Sequence, residues 1–399
     1  MRIRLCQNGN NGNHLRNTGI RGIIDRTLQI VTFATINYWG MKIKRRYMVA
    51  TVIVACVILA VAAAGVIFIN QPSFGRLPRG ERLERIKRSP HYRDGAFHNI
   101  QNTLFMTSDK GRWESMWDFL FDKPDGLAPQ AALRAVKTDL GNLPGYDLMV
   151  WFGHSSYLLQ LSGKKILVDP VFCMASPVSF VNRPFKGTDI YEPDDIPPID
   201  ALVITHDHWD HLDYNTVKSI KARVGKVVCP LGVGEHLEYW GYDVEQIVEL
   251  DWHEDATPVP GFTFHCLPAR HFSGRGLASN KTLWASFLVE SPSLNVYIGG
   301  DSGYGTHFAE IGRKYVDIDV AILENGQYNE GWKYIHTMPD QLGKAARDID
   351  AETVITVHHS KYALSRHRWD EPLENELSMA REDSVNLKVL EIGSPAKLP

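Results

Sequence analysis

The stretch THDHWDHLD, residues 205–213, places three histidines and three aspartates in nine positions directly after the apolar run ALVI. Imidazole and carboxylate groups are common protein ligands of zinc and similar first-row ions. Three adjacent imidazoles have little use in packing, because they repel one another whenever they are protonated. The HxHxDH pattern therefore predicts a metal-binding loop at the end of a buried strand. The candidate ligands in this loop are His206, His208, Asp210 and His211.

The same arrangement recurs further along the chain, where apolar runs end and ligand-type side chains follow. These candidates are His271 after FTFHCLPAR, Asp301 after NVYIGG and, after TVITV, His358 or its neighbour His359. Enzymes built from layers of helices and strands gather their sites at strand ends along one edge of a sheet. We therefore expect these side chains to converge with the metal-binding loop.

Seven candidate ligands are more than one tetrahedral ion binds, so we expect two Zn²⁺ ions or a similar divalent transition metal. In the simplest division the first ion is bound by His206, His208 and His271, the second by Asp210, His211 and one of the two histidines after TVITV, and Asp301 bridges both. Two ions about 4 Å apart deprotonate a bridging water and stabilise the charge that develops on an attacked group. The pattern therefore predicts a hydrolase that works through a metal-bridging hydroxide.

Composition narrows the class of protein. The chain has 399 residues, of which 44% are hydrophobic, so it can form one large catalytic domain or two ordinary ones. Its formal net charge is only -3 and its acidic and basic residues are mixed, so no basic surface for nucleic acid is indicated. The five cysteines show no CxxC pairing, and a disulfide framework therefore has no support.

The run MVATVIVACVILAVAAAGVIFI, Met48–Ile69, is apolar almost throughout. As a helix it is long enough to cross the hydrocarbon core of a bilayer, which takes about 20 residues. Basic residues flank it on both sides, so flanking charge does not determine its orientation. We expect an uncleaved membrane anchor. A cleaved signal peptide is the alternative, because AVAAAG offers small residues of the kind found at cleavage sites.

The composition changes along the chain and indicates four regions. They are a basic leader at 1–47, of which we expect residues 1–40 to lie upstream of a true start at Met41, a transmembrane anchor at 48–69, a juxtamembrane tether and packing segment at 70–146, and a hydrolase domain at 147–399. In the last region, short β-rich runs alternate with helical stretches such as the one that begins at Pro339, which predicts an α/β layered domain. Ser162-Gly163-Lys164 joins two of these runs and predicts a hairpin.

Several stretches, in the same order, resemble the metallo-β-lactamase fold superfamily, and within it most closely the branch that contains N-acyl phosphatidylethanolamine-hydrolysing phospholipase D. They are WFGHSSYLLQL, ILVDPVF, THDHWDHLD, PARHFSGRG, LWASFLVE, GGDSGYG, WKYIHTMP and VHHSKYAL. The resemblance covers about residues 151–393 and implies an α/β fold, a four-layer αβ/βα sandwich with two mixed sheets face to face and helices outside. With the apolar run, the expected architecture is this sandwich preceded by an N-terminal transmembrane helix.

The resemblance also implies the roles of individual residues. It selects His358 over His359 as the last metal ligand. It implies that Asp169, in ILVDPVF, orients the metal-binding loop. Asp210 and His336 are the expected catalytic residues, and His336 matches a histidine that faces the substrate, where it can stabilise a charged oxygen or protonate a leaving group.

The chain departs from this pattern at two places. Trp209 stands inside HxHxDH where the lipid-cleaving enzyme has tyrosine, and ENGQYNEGW, residues 324–332, differs from the corresponding loop. Both departures lie near the expected pocket, so they bear on the substrate and not on the metals. Asp207, although it lies within the loop, has no ligand role in this pattern.

Together these features predict a membrane-tethered, zinc-dependent phosphodiesterase of the phospholipase D type that acts on N-acyl phosphatidylethanolamine or a related phospholipid. The alternatives are a lactonase or another small-ester hydrolase, which needs the same ligands, and a non-catalytic metal-binding envelope protein. We expect a single-pass protein of the bacterial inner membrane with a periplasmic catalytic domain. Its partners are then the membrane, through the N-terminal helix, and a phospholipid or other small ester as substrate.

Overall fold

The structure, a computed structural model, describes residues 14–108, 111, 114, 117, 122–178 and 180–399. The chain divides into two compact units, Met1–Asn70 and Gln71–Pro399. Part of the predicted packing segment, residues 70–146, lies outside the described residues.

In the described part of the first unit the chain forms one helix, α1 (His14–Ile69), of 56 residues. Within it, Asp25–Ile69 is long and apolar enough to cross a membrane, and its most apolar window is not buried by the rest of the protein. The predicted anchor, residues 48–69, lies inside this helix, which extends N-terminally into the predicted leader. Length and composition suit a membrane anchor and also a signal sequence, so both interpretations of the sequence stand.

The second unit is built on two large β-sheets and a short hairpin. In chain order its strands are β1 (Tyr92–Arg93), β2 (Ala96–Phe97), β3 (Leu148–Trp151), β4 (Tyr157–Leu161), β5 (Lys164–Val168), β6 (Ile199–Val203), β7 (Val224–Pro230), β8 (Ile247–Leu250), β9 (Asp255–Val259), β10 (Phe262–Leu267), β11 (Ser286–Glu290), β12 (Asn295–Ile298), β13 (Val320–Glu324), β14 (Thr353–Val357) and β15 (Pro395–Lys397). One sheet has seven strands in the spatial order β15-β3-β4-β5-β6-β7-β8. The other has six, in the order β14-β13-β12-β11-β10-β9.

Both large sheets combine antiparallel and parallel strands. In the seven-stranded sheet, pairing is antiparallel from β15 to β5 and parallel from β5 to β8. In the six-stranded sheet it is antiparallel from β9 to β12 and parallel from β12 to β14. The predicted hairpin between β4 and β5 is confirmed. Its turn residues Ser162 and Gly163 have φ values of 44° and 76°, the left-handed conformation that a tight two-residue hairpin requires.

The helices of the second unit connect and cover the strands. Among the described residues they are α2 (Gly80–Lys87), α3 (Tyr214–Ile220), α4 (Gly234–Tyr239), α5 (Thr306–Lys314), α6 (Pro339–Ile349) and α7 (Glu371–Glu382). Helix α6 begins at the predicted proline, because the fixed φ and missing N–H of proline suit the first helical position. Helix α3 begins after Asp213, whose side chain accepts a hydrogen bond from the backbone N–H of Asn215.

Three hydrophobic clusters show how the layers stack. On β3, Met149 faces the cluster between the two sheets, while Val150 faces an outer cluster with α3 and α4. On β13, Ile322 faces the cluster between the sheets and Leu323 faces an outer cluster with α5, α6 and α7. Because side chains alternate along a strand, each sheet packs on both of its faces. The resulting order of helices, sheet, sheet and helices confirms the predicted αβ/βα sandwich.

Phe264 tests this packing, because it lies on β10 in the cluster between the sheets and is fully buried. Phe264→Ala leaves a cavity there, so we expect the free energy of unfolding to fall by about 3–5 kcal/mol. Thr263→Ala, at the partly exposed neighbouring position, should change it by no more than about 0.5 kcal/mol. Denaturant unfolding of the purified full-length variants measures both values, and equal losses would contradict the proposed layering.

Candidate metal centre

The predicted metal ligands all follow strands, and both large sheets contribute them. The metal-binding loop, residues 205–213, follows β6 of the seven-stranded sheet. His271, Asp301 and His358 follow β10, β12 and β14 of the six-stranded sheet. The structure brings these side chains together, in overlapping groups whose ligand atoms lie within 4.8 Å of one another.

The first group consists of His206, His208 and His271. Nε2 of His206 lies 2.9 Å from Nδ1 of His208, which in turn lies 3.2 Å from Nε2 of His271. The ring of His271 is oriented by its other nitrogen, since Nδ1 donates a hydrogen bond of 2.7 Å to the backbone carbonyl of Ile335. Three imidazoles at these distances can share one ion.

The second group contains the predicted ligands Asp210, His211 and His358, together with His154. Oδ2 of Asp210 lies 3.7 Å from Nε2 of His211 and 2.9 Å from Nε2 of His154. Nδ1 of His358 is 2.7 Å from the hydroxyl oxygen of Ser155. The two groups adjoin each other, because His206 of the first also forms a group with His211 of the second and with Asp301.

Asp301 lies between the two groups. Its Oδ1 is 3.1 Å from Nε2 of His211 and 3.2 Å from Nδ1 of His358. Its Oδ2 is 3.7 Å from Nε2 of His271 and 3.9 Å from Nε2 of His206. One carboxylate thus turns an oxygen toward each group, which is the placement that a bridging ligand needs.

Within the described part of the chain, several buried atoms at this centre lack a hydrogen-bond partner. They are Nδ1 of His154, Nε2 of His208, His211 and His358, and Oδ1 of Asp301. Each unpaired buried polar atom costs about 1–3 kcal/mol, so such atoms are seldom gathered in one place without another partner. A divalent cation accepts lone pairs from imidazole and carboxylate together, and the donor set therefore fits metal binding.

Burial also keeps several of these histidines in the form that binds metal. It lowers the pKa of His206, His271 and His358 well below the usual value, because a buried site disfavours the charged imidazolium. A neutral ring keeps a lone pair for coordination, whereas an imidazolium has none. The three rings are therefore prepared for metal before any ion arrives.

Asp169 lies at the end of β5 and contacts the metal-binding loop from behind. Its Oδ2 accepts hydrogen bonds from Nδ1 of His211, at 2.8 Å, and from the hydroxyl of Thr205, at 2.6 Å. Its Oδ1 accepts the backbone N–H of Thr205, at 2.8 Å. Because Nδ1 of His211 is engaged here, the opposite nitrogen faces the second group, as the expected orienting role of Asp169 requires.

Asp207 faces away from both groups. Its Oδ1 accepts the backbone N–H of Gly274, at 2.7 Å, and its Oδ2 accepts the hydroxyl of Thr282, at 2.9 Å. Oδ2 also lies 3.2 Å from Nε2 of His236. The structure therefore places this carboxylate as a brace between the loop and its neighbours.

His336 lies beside the ligands and is paired with Glu324. Its Nδ1 is 2.7 Å from Oε2 of Glu324, and its ring centre is 5.0 Å from that of His271. Burial raises the pKa of Glu324 to about 7. Burial alone would lower the pKa of His336, but the carboxylates of Glu324, Asp301 and Asp210 together outweigh this effect and raise it.

Comparison with known proteins shows the family to which this chain belongs. Residues 164–359 match the Beta-lactamase superfamily domain. An uncharacterized protein of Mycobacterium bovis is 36% identical over 313 residues, which are 76% of this chain and 83% of that protein. N-acyl-phosphatidylethanolamine-hydrolyzing phospholipase D 1 of Caenorhabditis elegans is 32% identical over 253 residues, 58% of this chain and 70% of that protein. This chain belongs to the β-lactamase superfamily.

A solved structure agrees on the fold. CmlA, a diiron beta-hydroxylase from Streptomyces venezuelae, superposes with a TM-score of 0.50 at 17% identity, over 64% of this chain and 55% of that one. At this identity the likeness shows the architecture alone. The predicted family and metallo-β-lactamase fold are confirmed, and the protein is a metal-dependent hydrolase of this superfamily.

Two residues of this superfamily member were missed by the sequence patterns. His154 follows β3 and contacts Asp210, and Glu324 ends β13 and contacts His336. Both obey the rule that singled out the ligands, a polar side chain at the end of an apolar strand. His154 even lies within WFGHSS, one of the stretches that carry the resemblance. A search of every strand end would have found both.

His358 and His359 are adjacent in the chain but face different surroundings. His358 lies in the second group of ligands. The ring of His359 instead packs against Trp151, with centroids 4.9 Å apart, and its Nδ1 is 2.8 Å from the hydroxyl oxygen of Ser360. The structure thus places at the centre the histidine that the resemblance selects.

A cavity of about 410 Å³ opens onto the ligands. Its polar wall includes His208, Asp210, His271, Asp301, His336 and His358. Its apolar wall includes Phe105, Met106, Phe272, Trp332, Ile335 and Leu364. A larger groove of about 710 Å³, bounded by parts of 122–130, 180–186 and 363–366, contains none of the candidate ligands. The smaller cavity is therefore the candidate substrate site.

The two departures from the lipid-cleaving enzyme have different surroundings. Gln327 and Trp332, from the divergent loop 324–332, line the cavity. Trp209 instead packs against Arg275, whose guanidinium lies 4.1 Å over its ring, and against Phe74. The loop is therefore the departure that bears directly on the shape of the cavity.

His358 and His359 are adjacent in the chain, so substituting each in turn gives a matched test of the metal centre. We expect the wild-type protein to hold about two ions per chain. His358→Gln should lose about one of them, because glutamine fills similar space but is a poor zinc ligand. His359→Gln should keep both. Elemental analysis after gel filtration measures the content, with circular dichroism as a check on folding, and full content in His358→Gln would contradict the assignment.

Proposed function

We propose that the protein is a zinc-dependent phosphodiesterase of the phospholipase D type, acting on N-acyl phosphatidylethanolamine or a related phospholipid. The observation that carries this proposal is the cavity, in which an apolar wall meets a floor of metal-binding side chains. An amphipathic substrate has the same two parts, a charged phosphodiester and hydrocarbon chains. Similarity to a relative named for this phospholipase activity supports the choice.

Two zinc ions would be held by the two groups of side chains, with Asp301 between them. His206, His208 and His271 would bind the first ion, and Asp210, His211 and His358 would bind the second. Bound divalent ions supply a lowered pKa for water and stabilisation of the negative charge that develops on phosphorus oxygens. Asp169 keeps His211 turned toward the second ion, and His154 holds the Asp210 carboxylate.

The apolar wall binds the hydrocarbon part of the substrate and excludes water from the reacting group. Phe105 and Phe272 pack together, with ring centroids 5.5 Å apart, and Phe272 also packs against His208, at 4.3 Å. A hydrocarbon chain along these rings therefore leads directly to the first group of ligands. The cavity volume of about 410 Å³ lies within the range of small-molecule sites, roughly 300–1,000 Å³.

His336 is proposed to assist the leaving group. In the reaction, water adds to phosphorus, the bond from phosphorus to the N-acylethanolamine oxygen breaks, and that oxygen takes up a proton. Because Nδ1 of His336 is paired with Glu324, Nε2 is the nitrogen left to give this proton. The buried Glu324 carboxylate stabilises the protonated ring and raises the pKa of His336, which favours this residue as the acid.

The apolar helix α1 supports attachment to a membrane, where such a substrate resides. We assign it as a single-pass anchor of the bacterial inner membrane, with the catalytic unit in the periplasm. Basic side chains flank the most apolar stretch on both sides, so flanking charge does not decide between the two orientations. Protease accessibility of the catalytic unit in intact spheroplasts tests this orientation.

Product analysis tests the proposed reaction. Zinc-loaded full-length protein, in mixed micelles with N-acyl phosphatidylethanolamine, should release phosphatidic acid, and a chelator should abolish the release. A lactone and a simple carboxylic ester serve as parallel substrates under the same conditions. Turnover of the lactone or the ester without turnover of the phospholipid would replace the phosphodiesterase with a small-ester hydrolase. Metal content without turnover of any of them would favour a non-catalytic protein.

His336→Gln isolates the proposed proton donor. Loss of the His336 imidazole should lower kcat about 100-fold or more, because general acid catalysis accelerates reactions about 10²–10⁴-fold. The bound zinc should stay at the wild-type level. His253→Gln, at an exposed position, is the matched control and should leave kcat unchanged. A wild-type kcat in His336→Gln would remove this residue from the reaction.

A further inference from the structure

Residues Pro72–Arg76, which we call the strap, follow the end of α1 by two residues in the sequence and pack on the metal-binding loop. Trp240 donates a hydrogen bond of 2.8 Å from Nε1 to the carbonyl of Pro72. The ring of Phe74 meets Trp209 edge to face, with centroids 5.0 Å apart. Trp209 stands between two candidate ligands in the loop, so the strap touches the loop at its centre.

Arg275 joins the strap to the loop through a buried guanidinium group. Its Nε and Nη2 donate hydrogen bonds to the carbonyl of Ser73, at 3.2 and 2.9 Å. Its Nη1 donates to the carbonyls of Asp207 and Leu212, at 2.9 and 2.6 Å. These two carbonyls lie on either side of the stretch that carries three candidate ligands. One cation therefore holds the strap and both ends of that stretch together.

A second link runs through His236. Its Nδ1 accepts the backbone N–H of Arg76, at 3.1 Å, so the ring proton lies on Nε2. Nε2 is 3.2 Å from Oδ2 of Asp207 and donates to it. Asp207 in turn braces the loop against Gly274 and Thr282. The strap therefore fixes the ring that supports this carboxylate.

The strap is held in place by close contact and by buried charge. Gly75 has a φ of 74°, and a Cβ atom there would lie 2.0 Å from Nδ1 of His236. Arg76 pairs with Glu235, at 2.5 Å, and Arg82 pairs with the same carboxylate, at 2.6 Å. The Glu235 side chain is only 2% exposed, so breaking these pairs would leave its buried charge unpaired.

We infer that the strap is a positioning element of the metal centre. It holds the backbone between Asp207 and Leu212, and with it the directions of the imidazoles, in the arrangement that binds metal. This inference rests on the metal centre proposed above and not on its substrate. Groups behind the ligands typically change metal affinity about 10–100-fold, and the strap contacts act at that level. The geometry of the centre thereby depends on residues that directly follow the candidate membrane helix.

The test uses the full-length protein in detergent micelles. Phe74→Ala removes the ring that packs on Trp209, whereas Phe74→Tyr keeps it. Gly75→Ala displaces the strap from His236. Arg85→Ala, which removes a surface ion pair with Glu254, controls for change elsewhere in the same part of the chain. Competition with a chromophoric chelator measures zinc affinity, and amide hydrogen exchange measures protection of residues 205–213, with β13 as the internal reference.

We expect Phe74→Ala and Gly75→Ala to bind zinc about tenfold more weakly or worse, with faster exchange at 205–213 and unchanged exchange at β13. Phe74→Tyr and Arg85→Ala should match the wild type. Unchanged zinc affinity in both disrupting variants would overturn the inference, and so would an equal rise in exchange at β13, which signals general destabilisation. Absence of zinc binding by the wild type would refute the proposed centre and the inference together.

Discussion

The centre depends on one electrostatic constraint, which is that imidazole and carboxylate groups are buried together at the end of the sandwich. Burial penalises charge, so it keeps His206, His271 and His358 neutral and leaves their lone pairs available. Among the described residues, Nε2 of His358 and Oδ1 of Asp301 have no hydrogen-bond partner, and a cation can accept both lone pairs. The surrounding structure supplies the groups that hold this costly arrangement in place.

Three aspartates around the loop show how surroundings assign roles to identical side chains. Asp301 faces both groups of ligands, and its two oxygens are shared between them. Asp169 faces the back of the loop and orients His211. Asp207 accepts hydrogen bonds from the backbone N–H of Gly274 and from His236. Of the three, Asp301 has an oxygen without a hydrogen-bond partner among the described residues, whereas both oxygens of Asp169 and of Asp207 accept hydrogen bonds.

The architecture gives the candidate substrate site both polar and apolar surfaces. Strand ends from both sheets supply a polar floor, and the connections between the strands supply aromatic and aliphatic walls. The same floor suits many hydrolytic reactions, so the walls determine which substrate fits. The walls include Trp332 of the divergent loop, whereas Trp209 packs against the strap and against Arg275. Substrate choice and support of the metal loop are therefore served by different tryptophans.

The amino-acid sequence alone determined the features that depend on neighbours in the chain. HxHxDH marks a ligand loop because its residues are close together, and Ser162-Gly163 marks a hairpin because the turn is local. Tertiary structure decided that His154 contacts Asp210, that His359 lies apart from the ligands, that Glu324 meets His336, and that Phe74 packs on Trp209. These contacts join segments far apart in the chain, and they exist only after the sheets pair and stack, which spacing along one segment does not encode.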